Sequence, residues 1–149
     1  MRPTQATGRP GTPVIPADWS AAPREVMAGT RTATCSIRHP GGTKGAFDET
    51  TGTYAITPYP PHHTGTARVQ QLNAQDQAKL AAEQEVTETG YLVAVALSAD
   101  QVQVGDIVTI TDVDDNGDPT LVDHELTVRS FGRGSLAWER DLICTDNLG

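Results

Sequence analysis

The stretch that decides the fold lies at residues 91–111, which read YLVAVALSADQVQVGDIVTIT. In its first half, large apolar residues alternate with small apolar ones, so both faces of the predicted strand are expected to be covered. Its second half, residues 107–111, alternates in the same way, and Gly105 with Asp106 forms a tight-turn signal just before it. Because β-branched residues dominate and no helical period fits, this stretch predicts the core of a small antiparallel β-domain.

Further alternating segments on both sides of this centre predict more strands. Upstream lie strands at residues 32–38 and 65–70, with a hairpin at residues 47–54 that turns at residues 49–52. Downstream, residues 121–131 predict a strand, and residues 136–138 with residues 142–145 predict the closing strand. The residues expected to face inward are Ala33, Cys35, Ile37, Ala67, Val69, Leu126, Val128, Ser130, Leu142 and Cys144. Six to seven strands are enough for a small closed barrel or a sandwich.

The N-terminal part of the chain differs from this body. Residues 1–15 are rich in Pro, Gly and Thr and predict an extended arm, either disordered or ordered only against a neighbouring subunit. Residues 16–29 predict one or two short helical turns that start at Pro16 or Asp18, are interrupted by Pro23 and stop at Gly29. Trp19 is expected to dock this element onto the β-domain.

A second unusual segment, residues 71–88, reads QLNAQDQAKLAAEQEVTE. It contains helix formers and no Gly or Pro, yet it has few large apolar side chains to bury. It is therefore expected to be a long insertion into the domain, either a mobile excursion or a short helix used elsewhere. The predicted organisation is an arm at residues 1–15 and a single domain at residues 16–149 that carries this inserted loop.

Composition narrows the classes of function. A net charge of −8 and a pI near 4.8 argue against a sequence-independent grip on nucleic acid, which needs a basic surface. No apolar run is long enough to span a membrane, and residues 1–10 lack the apolar region of a signal peptide, so the cytoplasm is the expected site of synthesis and assembly. Cys35 and Cys144 are too few for a disulfide framework and are expected to be small buried apolar residues.

The most specific chemical pattern is an acidic loop with the spacing of a twelve-residue calcium loop. Its weak candidate ligands are Asp112, Asp114, Asn116, Asp118 and Asp123. Strands rather than helices flank the loop, Pro119 occupies its eighth place, and its last ligand is Asp rather than the longer Glu. The favoured interpretation is an acidic hairpin loop that turns at Asn116 and Gly117, without a metal.

The remaining side chains predict no catalytic site. His62 and His63 could ligate a metal, but with only His39 and His124 besides, a structural loop is favoured. No nucleophile and base are arranged as hydrolases require, and no phosphate loop or nucleotide fingerprint is present. We therefore expect a protein that is not an enzyme and that carries no cofactor.

An ordered set of motifs carries a family resemblance. These are TxTCSIRHPGG, FDETTGTY, TGTARVQ, ETGYLVAV, VxVGDIVTIT, LTVRSF and SLAWERDLICT, spread over about residues 16–147. In this order they resemble the neck proteins of actinobacterial tailed phages, and more narrowly the head-to-tail stopper, or head-closure, proteins. The resemblance implies a β-barrel subunit, and the arm at residues 1–15 lies outside it. Together with the segments described above, the expected fold is mainly β, a small antiparallel β-barrel of six to seven strands with a short N-terminal helix, an extended N-terminal arm and a long inserted loop.

The resemblance also implies a function and partners. Such a subunit forms a homo-oligomeric ring, of twelve copies by the family's pattern, in the virion neck. The ring binds the portal and adaptor above and the tail terminator or tail tube below, and packaged DNA passes through its channel without sequence-specific binding. In some relatives a loop closes the channel, and the matching segment here is residues 71–88. The candidate channel-gating residues are Gln71, Asn73, Gln75, Asp76, Gln77, Lys79, Glu83, Gln84 and Glu85.

Two alternatives stay open at this point. Within the virion, a tail terminator or another neck or tail ring protein could share a β-barrel body. From a different class, the chain could be a calcium-binding or ligand-binding β-module, for which the loop at residues 112–123 is the feature to test. An acidic ring would repel the DNA duplex and give a low-friction channel, although acidic surfaces also serve solubility alone.

Overall fold

The computed structural model describes residue 19, residues 21–83 and residues 89–146. The predicted arm at residues 1–15 therefore lies outside the described residues. Within those residues the chain forms eight strands, two α-helices and one 3₁₀ helix. In chain order the elements are α1 (Ala21–Gly29), β1 (Ala33–Arg38), β2 (Gly42–Asp48), β3 (Thr53–Pro58), β4 (His63–Gln71), α2 (Ala74–Glu83), β5 (Gly90–Val95), β6 (Ile107–Val113), the 3₁₀ helix (Pro119–Leu121), β7 (Glu125–Phe131) and β8 (Arg140–Asp146).

Six of the strands close into a barrel in the order β1-β4-β5-β8-β7-β6, and β6 pairs with β1 to complete the circle. Every neighbouring pair is antiparallel. The strands therefore alternate in direction, and the connections gather at two ends. We call the end where β1, β5 and β7 finish the hairpin end, because the connection from β1 to β4 contains β2 and β3. We call the opposite end, where β4 leads through α2 to β5, the insert end.

The barrel interior holds a core of small and branched side chains drawn from all six strands. Ile37, Val93, Val95, Val108, Ile110, Leu126, Val128 and Leu142 are fully buried together with Cys35 and Cys144. Burying each of the larger aliphatic side chains contributes about 1.5–3 kcal/mol relative to exposure. The predicted mainly β fold, a small antiparallel barrel with a short N-terminal helix, is confirmed, as is the inward face of β1.

The central strand β5 is covered on both faces at its middle, as its sequence predicted. Val93 and Val95 point into the core, and Ala94, on the opposite face, is also fully buried. Ala94 lies between Arg68 of β4 and Asp141 of β8 in the strand register. A small side chain at this position leaves room for the elements outside the barrel.

The C-terminal third departs from the predicted strand pattern in two places. Ser130, expected to face inward with Val128, is exposed because a register shift between these two residues turns β7. The predicted strand at residues 121–131 begins only at Glu125. Before it, the Asp118 carboxylate accepts the Thr120 N–H and caps the 3₁₀ helix, which removes this segment from the sheet. Residues 136–138 also lie outside β8.

The N-terminal helix α1 docks on the outside of the barrel. Pro23 was expected to interrupt it, but the helix begins at Ala21, so Pro23 lies in the first turn, where a missing N–H costs nothing. Trp19 packs edge-on against Trp138 with ring centroids 6.0 Å apart. The predicted docking of Trp19 is thus confirmed.

A buried ion-pair group supports this docking. The Glu139 side chain is only 5% exposed, and its Oε1 lies 2.9 Å from Nη2 of Arg68. The Oε2 of Glu139 lies 3.8 Å from Nη1 of Arg31, which follows α1. Arg68 also donates to the Thr30 hydroxyl at 2.9 Å. These contacts tie the end of α1 to β4 and to the residue that precedes β8.

Both cysteines are free thiols buried in the barrel, as expected for small apolar residues. Among the described residues, neither helix has the length and apolar character that would let it cross a membrane.

Candidate functional site

The hairpin end of the barrel brings three distant segments together on one buried carboxylate. The Oδ1 of Asp106 lies 2.8 Å from Nδ1 of His39, and its Oδ2 lies 2.9 Å from Nε2 of His62. Asp106 is 1% exposed, whereas the His39 side chain is 42% exposed. The two imidazole rings are tilted against each other with centroids 4.5 Å apart. We call these three residues the His–Asp cluster.

Local sequence explains why Asp106 points inward. Gly105 has a φ of +94°, a left-handed conformation that glycine adopts without strain. This turn lets the Asp106 N–H donate to the Gln103 carbonyl at 3.1 Å, and the Gln103 N–H donates to Oδ2 of Asp106 at 2.9 Å. The Asp106 carbonyl accepts the Val128 N–H at 2.9 Å. Backbone hydrogen bonds within this turn and to Val128 therefore hold Asp106 in addition to its two histidine contacts.

The two histidines stand at the two ends of the β2–β3 hairpin. His39 directly follows β1, and His62 directly precedes β4, so one lies on each side of the hairpin base. The His62 N–H also donates to the Ile37 carbonyl at 2.9 Å. Asp106 thus links the residues on both sides of the hairpin base to the connection between β5 and β6.

Only part of the cluster was foreseen from sequence. His62 and His63 were weighed together as metal ligands, but the structure separates them. His63 lies at the start of β4, and burial, followed by the charge of His62, holds its pKa below the ordinary value of 6.5. His124 pairs with Asp146 at 3.1 Å, between β8 and the segment before β7. In the connection that precedes β4, His62 therefore has a structural contact, which it shares with His39 through Asp106.

Asp106 was interpreted only as part of a turn. The sequence carried one usable signal, since Asp106 lies two residues before the apolar Val108, a spacing that places both on one face of an extended segment. A carboxylate held in such a position needs partners, because an unpaired buried charge is strongly unfavourable. That signal identifies a buried Asp but not its partners, which are 67 and 44 residues away along the chain.

The five candidate calcium ligands do not converge in the structure. Asp112 lies in β6, where its backbone pairs with Thr34. The Asp114 carboxylate accepts the Asn116 N–H at 3.0 Å, and Asp118 caps the 3₁₀ helix. Asp123 has a φ of +69°. Among the described residues, the acidic and histidine side chains close enough to share a metal ion are those of the His–Asp cluster.

The candidate channel-gating residues spread over several environments. Gln71 belongs to β4 and pairs with Tyr91, so it lies inside the sheet rather than in the insertion. Asn73 caps α2 by accepting the Asp76 N–H at 2.9 Å. Gln75 and Lys79 lie exposed on the helix.

The other candidates extend toward the part of the insertion that is not described. Gln77 and Glu83 belong to α2, and Gln84 and Glu85 lie outside the described residues. Of the two conformations considered for the insertion, the helical one accounts for residues 74–83. This helix lies at the insert end of the barrel, opposite the His–Asp cluster.

The β2–β3 hairpin is a two-stranded sheet that pairs with no barrel strand. Its turn falls at the predicted place, where the Asp48 carboxylate accepts the Thr50 N–H at 2.8 Å. Every residue of β3 is exposed. The hairpin and the residues just after it carry four large apolar side chains open to solvent, namely Phe47, Tyr54, Ile56 and Tyr59. We call these four the hairpin patch.

Comparison with known proteins identifies the family. A protein-family model, described as a family of unknown function (DUF6093), matches residues 23–145, which is more than half of the 149-residue chain. The chain belongs to the DUF6093 family. The matched range of this DUF6093 chain includes the barrel except for the last residue of β8, the hairpin patch and the His–Asp cluster.

Two further comparisons, one of sequence and one of structure, were made for the DUF6093 chain. No curated protein has significant similarity to its sequence. The solution structure of protein SF1141 from Shigella flexneri 2a is similar, with a TM-score of 0.52 and 13% identity over 80% of this chain and 96% of that chain. At this identity the likeness shows the fold alone.

The described residues of the DUF6093 chain offer three surfaces that could contact a partner or an ion. The hairpin patch offers apolar and aromatic surface at one end of the barrel. The His–Asp cluster offers two imidazole nitrogens and a carboxylate at the same end. The insertion presents a polar helix at the other end.

Proposed function

We propose that the chain is a structural subunit of a phage neck: a head-to-tail stopper that assembles into a ring between the portal with its adaptor and the tail. The observation that carries the proposal is the hairpin patch. The barrel buries its own core, yet the hairpin leaves four large apolar side chains exposed. Contact with another protein would bury them. The narrower identification as a stopper comes from the ordered motifs at residues 16–147.

The hairpin has the energetic profile of an element completed by a partner. An isolated two-stranded sheet is marginally stable in water, and this one buries none of its large side chains. Within the hairpin, Phe47 and Tyr54 contact each other edge-on at 5.0 Å, and the Lys44 ammonium lies 5.2 Å from the Tyr54 ring. Patches of this kind, apolar and rimmed by charge, mark protein–protein contacts. In a ring, every subunit has a neighbouring subunit that can cover its hairpin patch.

The two ends of the barrel suit a connector. The hairpin patch lies at one end and α2 at the other, so the barrel can contact different partners at its two ends. The packed core keeps the distance between the two ends fixed, because packed protein interiors resist deformation. This arrangement supports a subunit that joins an adaptor to a tail component.

The insertion supports a gating role by its chemistry. Helix α2 carries one basic residue, Lys79, and two acidic residues, Asp76 and Glu83. The Lys79 Nζ lies 3.9 Å from Oδ1 of Asp76. Such a helix would obstruct a channel sterically and would not bind phosphates tightly, because it lacks a basic face. With a charge of −8 per chain, a ring would also repel the duplex that passes through it.

The test is complementation of a phage that lacks this gene. The variant Ile56→Ser removes an exposed side chain of the hairpin patch, and Val26→Ser, which alters a similarly exposed valine on α1, is the matched control. We expect both purified proteins to fold as wild type. We expect the hairpin variant to leave tailless heads that have lost their DNA, whereas the control restores infectious particles.

The results also separate the stopper from its alternatives. Tails of aberrant length on DNA-filled heads would assign the chain to a tail terminator instead. Particles that retain DNA and join tails without this protein would refute a neck function. Failure of the purified chain to bind portal–adaptor complexes, together with retained DNA, would exclude the proposal altogether.

A further inference from the structure

We propose that His39, His62 and Asp106 bind one divalent first-row transition metal ion, with Zn²⁺ the ion that best fits their donor set. The three donor atoms lie within 4.8 Å of one another. Two imidazole nitrogens and one carboxylate oxygen form a donor set that zinc uses in sites where water occupies the fourth position. The proposal concerns the isolated chain and does not depend on the proposed function.

The geometry needs only a small adjustment to accept the ion. Zinc takes nitrogen and oxygen ligands at about 2.0–2.2 Å, which places neighbouring donors of a tetrahedral site roughly 3.3 Å apart. In the hydrogen-bonded arrangement His39 Nδ1 lies 2.8 Å from Oδ1 of Asp106 and His62 Nε2 lies 2.9 Å from Oδ2, so the two rings contact different oxygens of the carboxylate. An ion that replaces the hydrogens now shared between the rings and the carboxylate requires each nitrogen to lie about half an ångström farther from the oxygen that it contacts. The buried charge of Asp106 is then neutralised by the cation rather than by hydrogen bonds alone.

Two of the three ligands are already held in place. The Asp106 carboxylate is fixed by the Gln103 N–H at 2.9 Å, and such outer contacts orient metal ligands. The His62 side chain is 8% exposed, and its buried Nδ1 has no hydrogen-bond partner among the described residues. The His62 ring is therefore held by its burial and by the hydrogen bond between Nε2 and Asp106.

The third ligand provides access. The His39 side chain is 42% exposed, so an ion and a coordinated water can reach the cluster from solvent without opening the barrel. Because His39 and His62 flank the hairpin, a metal ion between them would close the hairpin base. Metal binding would then restrict the angle at which the hairpin patch leaves the barrel.

The test uses tag-free full-length protein stripped with EDTA. Isothermal titration with ZnCl₂ is expected to give one ion per chain, and CoCl₂ is expected to give the visible absorption of a site with nitrogen and oxygen ligands. Because the wild-type His39 ring is exposed, the variant His39→Gln is expected to keep the fold. This variant should bind Zn²⁺ at least about ten-fold more weakly. The matched control is His124→Gln, because His124 pairs with Asp146 outside the cluster.

The outcomes decide the proposal in both directions. Stoichiometric binding that is lost in His39→Gln and kept in His124→Gln supports it. No binding to the wild-type chain would overturn it and leave the cluster as a hydrogen-bonded link between loops. Binding that is equal in the wild type and His39→Gln, or that is lost only in His124→Gln, would also overturn it, and circular dichroism of each variant checks that the fold is retained.

Discussion

Replacing Asp106 by alanine tests whether one carboxylate holds the hairpin end of the barrel together. The substitution removes hydrogen bonds from His39 at 2.8 Å, from His62 at 2.9 Å and from the Gln103 N–H at 2.9 Å. It also leaves the Gln103 N–H and the largely buried His62 ring without their acceptor. The consequence should be a loss of free energy of unfolding well above that of an ordinary surface substitution.

The expected magnitude follows from burial. A hydrogen bond to a charged group contributes about 1.5–3 kcal/mol. The bond from His39 is discounted, because that ring is 42% exposed and solvent screens it. The two remaining bonds give a loss of about 3–5 kcal/mol, the range found when one partner of a buried charged pair is removed. For a chain of this size the melting temperature should fall by roughly 6–20 °C.

Urea denaturation in EDTA, followed by circular dichroism, measures this loss without any contribution from metal. The midpoint should fall while the denaturant dependence stays constant, which indicates a change in stability alone. Asp106→Asn should lose less free energy of unfolding than Asp106→Ala, since asparagine keeps one acceptor oxygen. Asp100→Ala, an exposed carboxylate in the same connection, should change stability by no more than about 0.5 kcal/mol. A loss below about 1 kcal/mol in Asp106→Ala would refute the reasoning.

Three further predictions follow from single residues. Burial raises the thiol pKa of Cys35 and Cys144 to about 12, so a disulfide reagent should label neither at neutral pH until guanidinium unfolds the chain; rapid labelling of the native protein would contradict their burial. Burial lowers the pKa of His63 in the folded state, so the unfolded chain binds more protons, and stability should fall as pH drops below about 6.5. The variant His63→Gln should reduce the dependence of stability on pH, measured by urea titrations at several pH values. A pH profile of stability that is unchanged in this variant would contradict the role of His63. In Gly42→Ala the new Cβ would overlap the backbone of the facing strand, so limited proteolysis should cut the hairpin faster, while Gly29→Ala, where a Cβ meets nothing, serves as the control.

The core of the barrel could be predicted because burial in strands is encoded locally. Apolar residues spaced two apart must share one face of a strand, whatever that strand pairs with. This rule placed Cys35, Ile37, Leu126 and Leu142 in the interior, where the structure has them. It misplaced Ser130, because a bulge changes the alternation by one residue and leaves no mark in the hydrophobic pattern.

The hairpin and the insertion were predictable as segments but not in their surroundings. Turn residues located the hairpin reversal at residues 49–52, and helix formers marked the insertion. Whether the hairpin joined the barrel sheet depended on which edges the other strands left open. The closure of β1 onto β6 removed those edges, so β2 and β3 pair only with each other.

The sequence by itself determined a small antiparallel β-domain, most of its inward-facing residues and its polar insertion, because periodicity and turn chemistry act over a few neighbouring residues. Only the tertiary structure brought His39, His62 and Asp106 together across separations of 67 and 44 residues. Strand order and direction decide which connections meet at one end of a barrel, and no local pattern carries that information. The residues with the most distinctive chemistry in this protein are therefore neighbours in space but not along the chain.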